Sequence, residues 1–278
     1  MSIPQKSSHW PTWPLPVRTD GMTVTGKSAC NYLPGRLATF RAFDAGGAGE
    51  GGAGGARMVT GAMFQKLLDA GFRRSGSVIY QPMCARCREC VPIRVPVEGF
   101  TPTRSQRRVM RKNSDVVVRV AAPEATREKW ELYERYQREW HKKKPSESED
   151  VLGFVTFLYR SPVESLEFEY RDKWGRLFGV GLVDVCPQTL SSVYFYFDPR
   201  AAARSLGTFS AIYEIQWAKQ MKMKYWYAGY WIKGCESMSY KSRFGPAEAL
   251  GTDGIWRPLA PDATAGAETG DEKPRSVS

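Results

Sequence analysis

Between Leu166 and Gly229 the apolar residues change period in a fixed order, and that order limits the folds open to the chain. Leu166, Phe168 and Tyr170 alternate with Glu167 and Glu169, the period of two that belongs to a strand. A turn near Asp172–Gly175 follows, then two more strand-like stretches, Leu177 to Val185 and Leu190 to Phe197. Ser205 or Thr208 opens a helix carrying Ile212, Ile215, Trp217 and Ala218, and Lys224 to Gly229 returns as a strand. Three strands, a turn, a helix and a strand call for an α+β fold: a mixed, mostly antiparallel sheet flanked by helices.

Upstream the pattern is less regular. Thr60 caps a helix with Met63, Phe64, Leu67 and Leu68 on one face, closed by Gly71. Val91 to Val97 alternates, but Pro92 and Pro96 each remove a backbone donor, which suits an edge strand at best. Thr103 to Asn113 reads as a short, very basic helix. Val116 to Val120 leads through Pro123 into a helix of about five turns, on which Trp130, Tyr133, Tyr136 and Trp140 recur as core packing. Ala45 to Ala56 is almost wholly glycine and alanine and reads as a flexible insert. The expected organisation is an N-terminal unit over 1–115 with the cysteines, a C-terminal unit over 116–259 and a disordered tail over 260–278.

No apolar run approaches the roughly 18 residues of a membrane span. Met1 to Pro16, broken by four prolines, lacks an apolar signal core. A cytoplasmic protein without a membrane partner is expected. Lysine and arginine outnumber the acids 40 to 29, and the net charge of +11 is concentrated. Eight cations face two acids between Arg86 and Lys112, and six face one between Lys219 and Arg243; these excesses together equal the whole net charge. Aromatics interleave the second block (Tyr225, Trp226, Tyr227, Tyr230, Trp231 and Tyr240), the mixture that suits phosphates and bases of RNA rather than DNA. A merely basic protein with those aromatics in its core fits the composition equally.

Cys84, Cys87 and Cys90 form a C-x2-C-x2-C run that can bring three thiolates to one soft metal, with Cys30 as fourth ligand for zinc or an iron–sulfur cluster. Reduced cysteines around a loop without metal are the other reading. The turn Arg204-Ser-Leu-Gly207-Thr208, opening the helix after Phe197, is similar to the R-x-x-G-x-G/A turn with which GNAT acyltransferases hold a pyrophosphate, except that Phe209 replaces the last glycine. The strand order is that of a GNAT-type core as well.

Four blocks carry a more specific resemblance: Cys30-Asn-Tyr-Leu-Pro-Gly-Arg36; Tyr80 through Cys90 continuing to Phe100–Arg108; Ser192-Val-Tyr-Phe-Tyr-Phe-Asp-Pro199 with Arg204–Thr208; and Gly229-Tyr-Trp-Ile-Lys233 with Met238–Lys241 and Phe244. Together they resemble the aminoacyl-tRNA–protein transferases of the N-degron pathway, in particular the bacterial aspartate/glutamate leucyltransferase branch. The resemblance implies a GNAT-like fold without acyl-coenzyme A. It also implies transfer of leucine from leucyl-tRNA to the α-amine of proteins beginning with Asp or Glu. Thr103 departs from the serine usual in the family.

The reaction turns an ester into an amide, so neither ATP nor a metal is chemically needed. The nucleophile is an α-amine with an ordinary pKa of about 7.7–8.0. Asp198, at the end of its strand, is the candidate proton acceptor, with a turn cap as its other reading. Tyr194 and Tyr196, on one face of that strand, are candidate donors to the oxyanion or leaving oxygen, or core residues. Arg104, Ser105, Gln106 and Arg107 are candidates for the acceptor's carboxylate, and Arg204, Gly207, Thr208, Lys233 and Lys241 for tRNA. Three alternatives stay open: arginyl-tRNA as donor, a coenzyme-A-dependent N-acetyltransferase, and a non-enzymatic RNA-binding protein on a cysteine–metal knuckle.

Overall fold

The structure is a computed structural model that describes residues 21–46, 59–143 and 150–260. The Gly/Ala insert beyond Gly46 and the tail beyond Ala260 lie outside the described residues. The first half contains β1 (Thr23–Val24), β2 (Ser28–Ala29), β3 (Leu37–Ala38), β4 (Phe40–Asp44), α1 (Gly61–Asp69), β5 (Arg73–Ser75), β6 (Val78–Pro82), β7 (Val91–Pro96), α2 (Arg104–Lys112) and β8 (Val117–Ala121). The second contains α3 (Arg127–Glu139), α4 (Val151–Phe154), β9 (Ser165–Arg171), β10 (Leu177–Cys186), β11 (Thr189–Phe197), α5 (Leu206–Gln220), β12 (Tyr225–Trp231), α6 (Glu236–Ser239), β13 (Glu248–Leu250) and β14 (Trp256–Pro258).

The large sheet has eight strands in the order β14-β13-β7-β12-β11-β10-β9-β8. Every described pair in it is antiparallel except β11 with β12, which run parallel because α5 carries the chain across the sheet between them. That is the GNAT-like architecture the strand order calls for. A smaller sheet, β1-β4-β6-β5, stands beside it. Strand β7 and helix α2, inside the expected 1–115 unit, belong to the large-sheet body: β7 hydrogen-bonds to β12 and β13, and α2 packs on α5.

Strand β7 corrects the edge-strand expectation, since it has a partner on each side. Pro92 and Pro96 stand near its two ends, while the three-residue β13 pairs only with Ile93 and Arg94 between them. The missing donors therefore fall outside the short ladder. Helix α3 has 13 residues, shorter than the five turns expected, and its aromatics are core: Tyr133 packs on Phe154, Tyr194 and Tyr196. Helix α2 opens on a capping box: Thr103 Oγ1 accepts from the Gln106 amide while Gln106 Oε1 accepts from the Thr103 amide.

The alternation in β9 has an unexpected outcome. Phe168 and Tyr170 face α5, packing on Trp217 and Phe209, but Glu167 and Glu169 are buried as well, 1% and 4% exposed. Lys129 of α3, 2% exposed, reaches both: it bonds Glu167 and lies 3.0 Å from Glu169. Burial pushes the Glu167 carboxyl up against the pull of Lys129. At Glu169 burial acts in the same direction, but Arg171 and Lys129 outweigh it and hold the carboxyl low. The sheet is thus covered on both faces, and the ammonium is the group that lets two acids sit under α3.

Replacing Lys129 by Met leaves the buried Glu167 carboxylate without its cation and Glu169 with Arg171 alone. Lys129→Met is expected to cost about 3–5 kcal/mol in urea unfolding, against less than about 1 kcal/mol for the exposed Arg127→Met.

Candidate functional site

Strands β11 and β12 pair over only three rungs, Thr189–Tyr225 to Ser191–Tyr227, and then part. Each carries a bulge where they separate. On β11, Ser192 lies opposite Val183 and Tyr194 opposite Leu182, so Val193 is extra; on β12, Tyr227 lies opposite Arg94 and Gly229 opposite Ile93, so Ala228 is extra. Bulges bend a strand and leave a residue off the ladder. The result is a polar opening with Ser192 and Val193 on one edge and Ala228, Gly229 and Tyr230 on the other. Arg73, Arg74, Tyr32 and Tyr80 of the N-terminal region line it, with Met238 and Lys241 from the segment after β12.

The N-terminal sheet reaches the opening through one buried ion pair. Arg74 donates Nε to Asp184 Oδ2 at 2.7 Å and Nη2 to Oδ1 at 2.6 Å, both side chains being 1% exposed. Ser165 Oγ donates to the same carboxylate. Beside it Phe64, Leu67, Leu68, Phe72 and Ile79 form an apolar core with Tyr227 of β12. Arg73 is buried beside Tyr227 and Tyr230, its Cζ 5.1 and 5.8 Å from their ring centroids, and donates Nη2 to the Gly229 carbonyl at 3.3 Å. Gly229 has φ +92°, and a Cβ there would stand 3.3 Å from Lys241 Nζ.

Lys241 lies in a 3-10 turn, Tyr240–Arg243, tied to α2 by Gln106 Nε2 donating to the Arg243 carbonyl at 3.0 Å. Its Nζ donates to the Tyr230 carbonyl at 3.2 Å. Desolvation of the ammonium, then the positive charge of Arg73, lowers its pKa to about 7. Asp184 is the one acid lining the opening among the described residues, and Arg74 neutralises it. Arg73 and Lys241 therefore make the opening electropositive. Beneath Ser192, Glu214 of α5 is 1% exposed and accepts from Trp226 Nε1 at 2.8 Å and Ser210 Oγ at 3.0 Å. Burial raises its pKa to about 7 against those hydrogen bonds and one from Ser192.

The sequence-predicted residues divide. Lys241 is in the opening. Asp198 is at the far end of β11, 1% exposed, capping the turn Pro199–Arg204. It accepts from Arg200 Nη2 at 2.6 Å and Arg135 Nη1 at 3.3 Å, with Arg176 at 3.7 Å. Burial favours its protonated form, but the hydrogen bonds and charges of Arg200 and Arg135 prevail and hold it below the usual carboxylate value. Its contacts are those of the cap rather than of a base. Tyr194 accepts from Gln137 Nε2 at 3.0 Å and Tyr196 shares a 3.0 Å hydrogen bond with Tyr159, both under α3. Burial raises the Tyr196 hydroxyl far above its ordinary value.

Gln106 is buried as the cap of α2, whereas Arg104, Ser105 and Arg107 are exposed on the same helix, away from the lining. Arg204 is taken by Asp115 through two 2.8 Å bonds, and Gly207 and Thr208 lie in the first turn of α5. Lys233 is exposed. Trp226, Tyr227 and Tyr230, read as a base-stacking surface, are buried because β12 is covered on both faces. Arg94, counted in the first basic block, is sandwiched between Tyr225 and Trp256 and paired with Asp69 and Glu248.

Among the described residues no group of three or more His, Cys, Asp or Glu side chains is placed to hold a metal ion. Cys90 is nevertheless within the electrostatic reach of the other three thiols of the expected site: burial, then Cys84, Cys30 and Cys87, push it up to about 12. Arg36 Nη1 donates to Cys87 Sγ at 3.1 Å. Cys90 and Cys30 also act on Tyr32, so the cysteine loop backs one wall of the opening.

A family profile described as the N terminus of arginine-tRNA-protein transferase matches residues 28–108, and its C-terminal counterpart matches 128–251. Similar proteins named aspartate/glutamate leucyltransferase come from Gluconacetobacter diazotrophicus (35% identity, 95% of this chain, 96% of the relative) and Pseudomonas fluorescens (36%, 82% and 92%). A third, of the same name, is from Marinobacter nauticus (36%, 88% and 99%). Among solved structures, that of L-PGS from Bacillus licheniformis shares 14% identity at a TM-score of 0.40, over 52% of this chain and 48% of that one.

Arg73, Arg74, Asp184 and Glu214 escaped the sequence reading, since isolated charges in strands and helices carry no spacing signal. Glu214 gives a direct check. Its pKa is higher folded than unfolded, so its neutral form supports the fold fully below about 4.5 and that support is lost as pH rises through about 7. Glu214→Gln removes the effect, so the stability of the variant relative to the parent should rise by about 3 kcal/mol between pH 5 and 8, read by urea unfolding.

Proposed function

The chain belongs to the arginine-tRNA-protein transferase family, and from that premise we propose that it transfers leucine from leucyl-tRNA to the α-amine of proteins beginning with Asp or Glu. The observation that carries this reading is the match over 95% of the chain and 96% of a relative named aspartate/glutamate leucyltransferase. The family works on tRNA and protein substrates. An electropositive lining supports leucine over arginine as donor, because its one acid, Asp184, is held by Arg74 and offers a second guanidinium no free carboxylate. Such a product is marked for the N-degron pathway, and the reading places the protein in the cytoplasm, where charged tRNA is.

The acceptor nitrogen attacks the ester carbonyl of the aminoacyl adenosine. A C–N bond forms, the C–O bond to the terminal ribose breaks, and the proton leaving the amine ends on the ribose hydroxyl. Lys241, held at the parting of β11 and β12 with a pKa near the working pH, is the group suited to take that proton and return it. The role expected of Asp198 passes to Lys241 in this reading. The bulge at Val193 gives a main-chain position off the ladder for the oxyanion. The exposed cations of α2 are left for tRNA phosphate. The zinc or iron–sulfur site expected at Cys30, Cys84, Cys87 and Cys90 carries no part of this reading, since these thiols are not placed to hold a metal ion.

Incubation of the protein with an Asp-initiated peptide and either leucyl- or arginyl-tRNA, read by mass spectrometry, tests the donor. A leucine increment is expected; an arginine increment, or none, overturns the reading. The single-turnover rate should climb with pH through about 7 as Lys241 loses its proton. Lys241→Met should lower that rate by about 10²–10⁴-fold with leucyl-tRNA affinity little changed. A flat profile between pH 6 and 7.5 removes Lys241 from the proton path.

A further inference from the structure

Arg73 is a buried cation whose hydrogen bonding is incomplete. It is 5% exposed, and burial lowers its pKa. Its Nη1 donates to the Phe72 carbonyl and its Nη2 to the Gly229 carbonyl, while Nε has no hydrogen-bond partner. Asp69, an acid acting on it, is engaged by Arg94 at 3.0 Å and by the Tyr227 hydroxyl. A buried donor left unmade costs about 1–3 kcal/mol, more for a charged group, so the position calls for a missing acceptor. The space before it is kept open by Gly229: the point where a Cβ would stand is 4.0 Å from Arg73 Nε and 3.3 Å from Lys241 Nζ.

Resting on the proposed transfer, we infer that Arg73 is the specificity residue that receives the side-chain carboxylate of the acceptor's N-terminal Asp or Glu. A guanidinium with Nε–H and an unused Nη hydrogen presents the fork that matches a carboxylate. In Asp the carboxyl is one methylene from Cα, and in Glu two. An amine beside Lys241 Nζ therefore carries its own carboxyl group into the reach of Arg73. Arg74 cannot serve, because Asp184 already occupies its fork. Exposed Arg104 and Arg107 line no part of the opening. A tRNA phosphate is the less suitable anion, since Arg73 lies inside a cavity walled by Tyr80 and Tyr230 while exposed cations are available on α2.

The test uses peptides identical except for N-terminal Asp or Asn, with the intact protein, Arg73→Met and Arg73→Lys. Folding is checked by circular dichroism; Arg73→Lys keeps the buried charge and serves if Arg73→Met does not fold. Transfer of leucine is read as KM and kcat, and peptide binding separately by calorimetry. Arg73→Met should lose about a hundredfold in kcat/KM for the Asp peptide, mainly through KM, with under about threefold change for Asn. Arg73→Lys should fall between, because an ammonium lacks the fork. Leucyl-tRNA affinity should stay the same. The inference is overturned if the folded variants keep the Asp preference, if both peptides weaken in parallel, or if the loss lies in leucyl-tRNA binding. Absence of leucine transfer by the parent protein would sink the proposed function alone. Calorimetry still decides Arg73, since equal binding of Asp and Asn peptides to the parent protein overturns its role.

Discussion

The Arg74–Asp184 ion pair is the constraint from which the site follows. Taking a guanidinium and a carboxylate out of water is costly, and it is offset only by close, paired hydrogen bonds. Here the fork is complete at 2.6 and 2.7 Å, and Ser165 satisfies the acid further. This pair fastens the short strand β5 to β10 of the large sheet. Neighbouring residues of a strand point to opposite sides, so anchoring Arg74 also fixes the direction of Arg73 onto Tyr227 and Tyr230. The N-terminal sheet is thus a wall of the opening as well as a neighbour of the large sheet.

The large sheet contributes the complementary half. A parallel pair limited to three rungs, with a bulge on each strand at the point of parting, leaves an opening between the two strands. Gly229 keeps the gap open, since a Cβ there would stand 3.3 Å from Lys241 Nζ. Around it the described charges are uneven: two cations look inward, and the one lining acid is neutralised. Buried groups behind the gap titrate near neutrality, brought there from opposite directions. Desolvation disfavours the charged form of each, lowering Lys241 and raising Glu214 to about 7, so both respond to pH in the range where an α-amine does.

Much of this was legible from local pattern. The period change from two to helical and back marks β9, β10, β11, α5 and β12, and Thr60 announces α1 through its cap. The four blocks of family resemblance proved to be spatial as well as sequential. Tyr32, Tyr80, Ser192, Gly229 and Lys241 come from four separate stretches and meet at one opening. What misled was residue type read without burial. The aromatics of β12 suit nucleic acid only if exposed, and both faces of that strand are covered. Asp198 suits a base only without its three arginines.

The amino-acid sequence by itself therefore determined the order and kind of the main elements, because capping and hydrophobic period act over a few neighbouring residues. It also carried the family, in blocks whose spacing chance does not reproduce. Only the tertiary structure decided which charges matter. Arg74 and Asp184 lie 110 residues apart along the chain, and a charge acquires its role from what is buried beside it. The same arginine is a solvated cation on α2 and, under β12, an unsatisfied fork facing an open space.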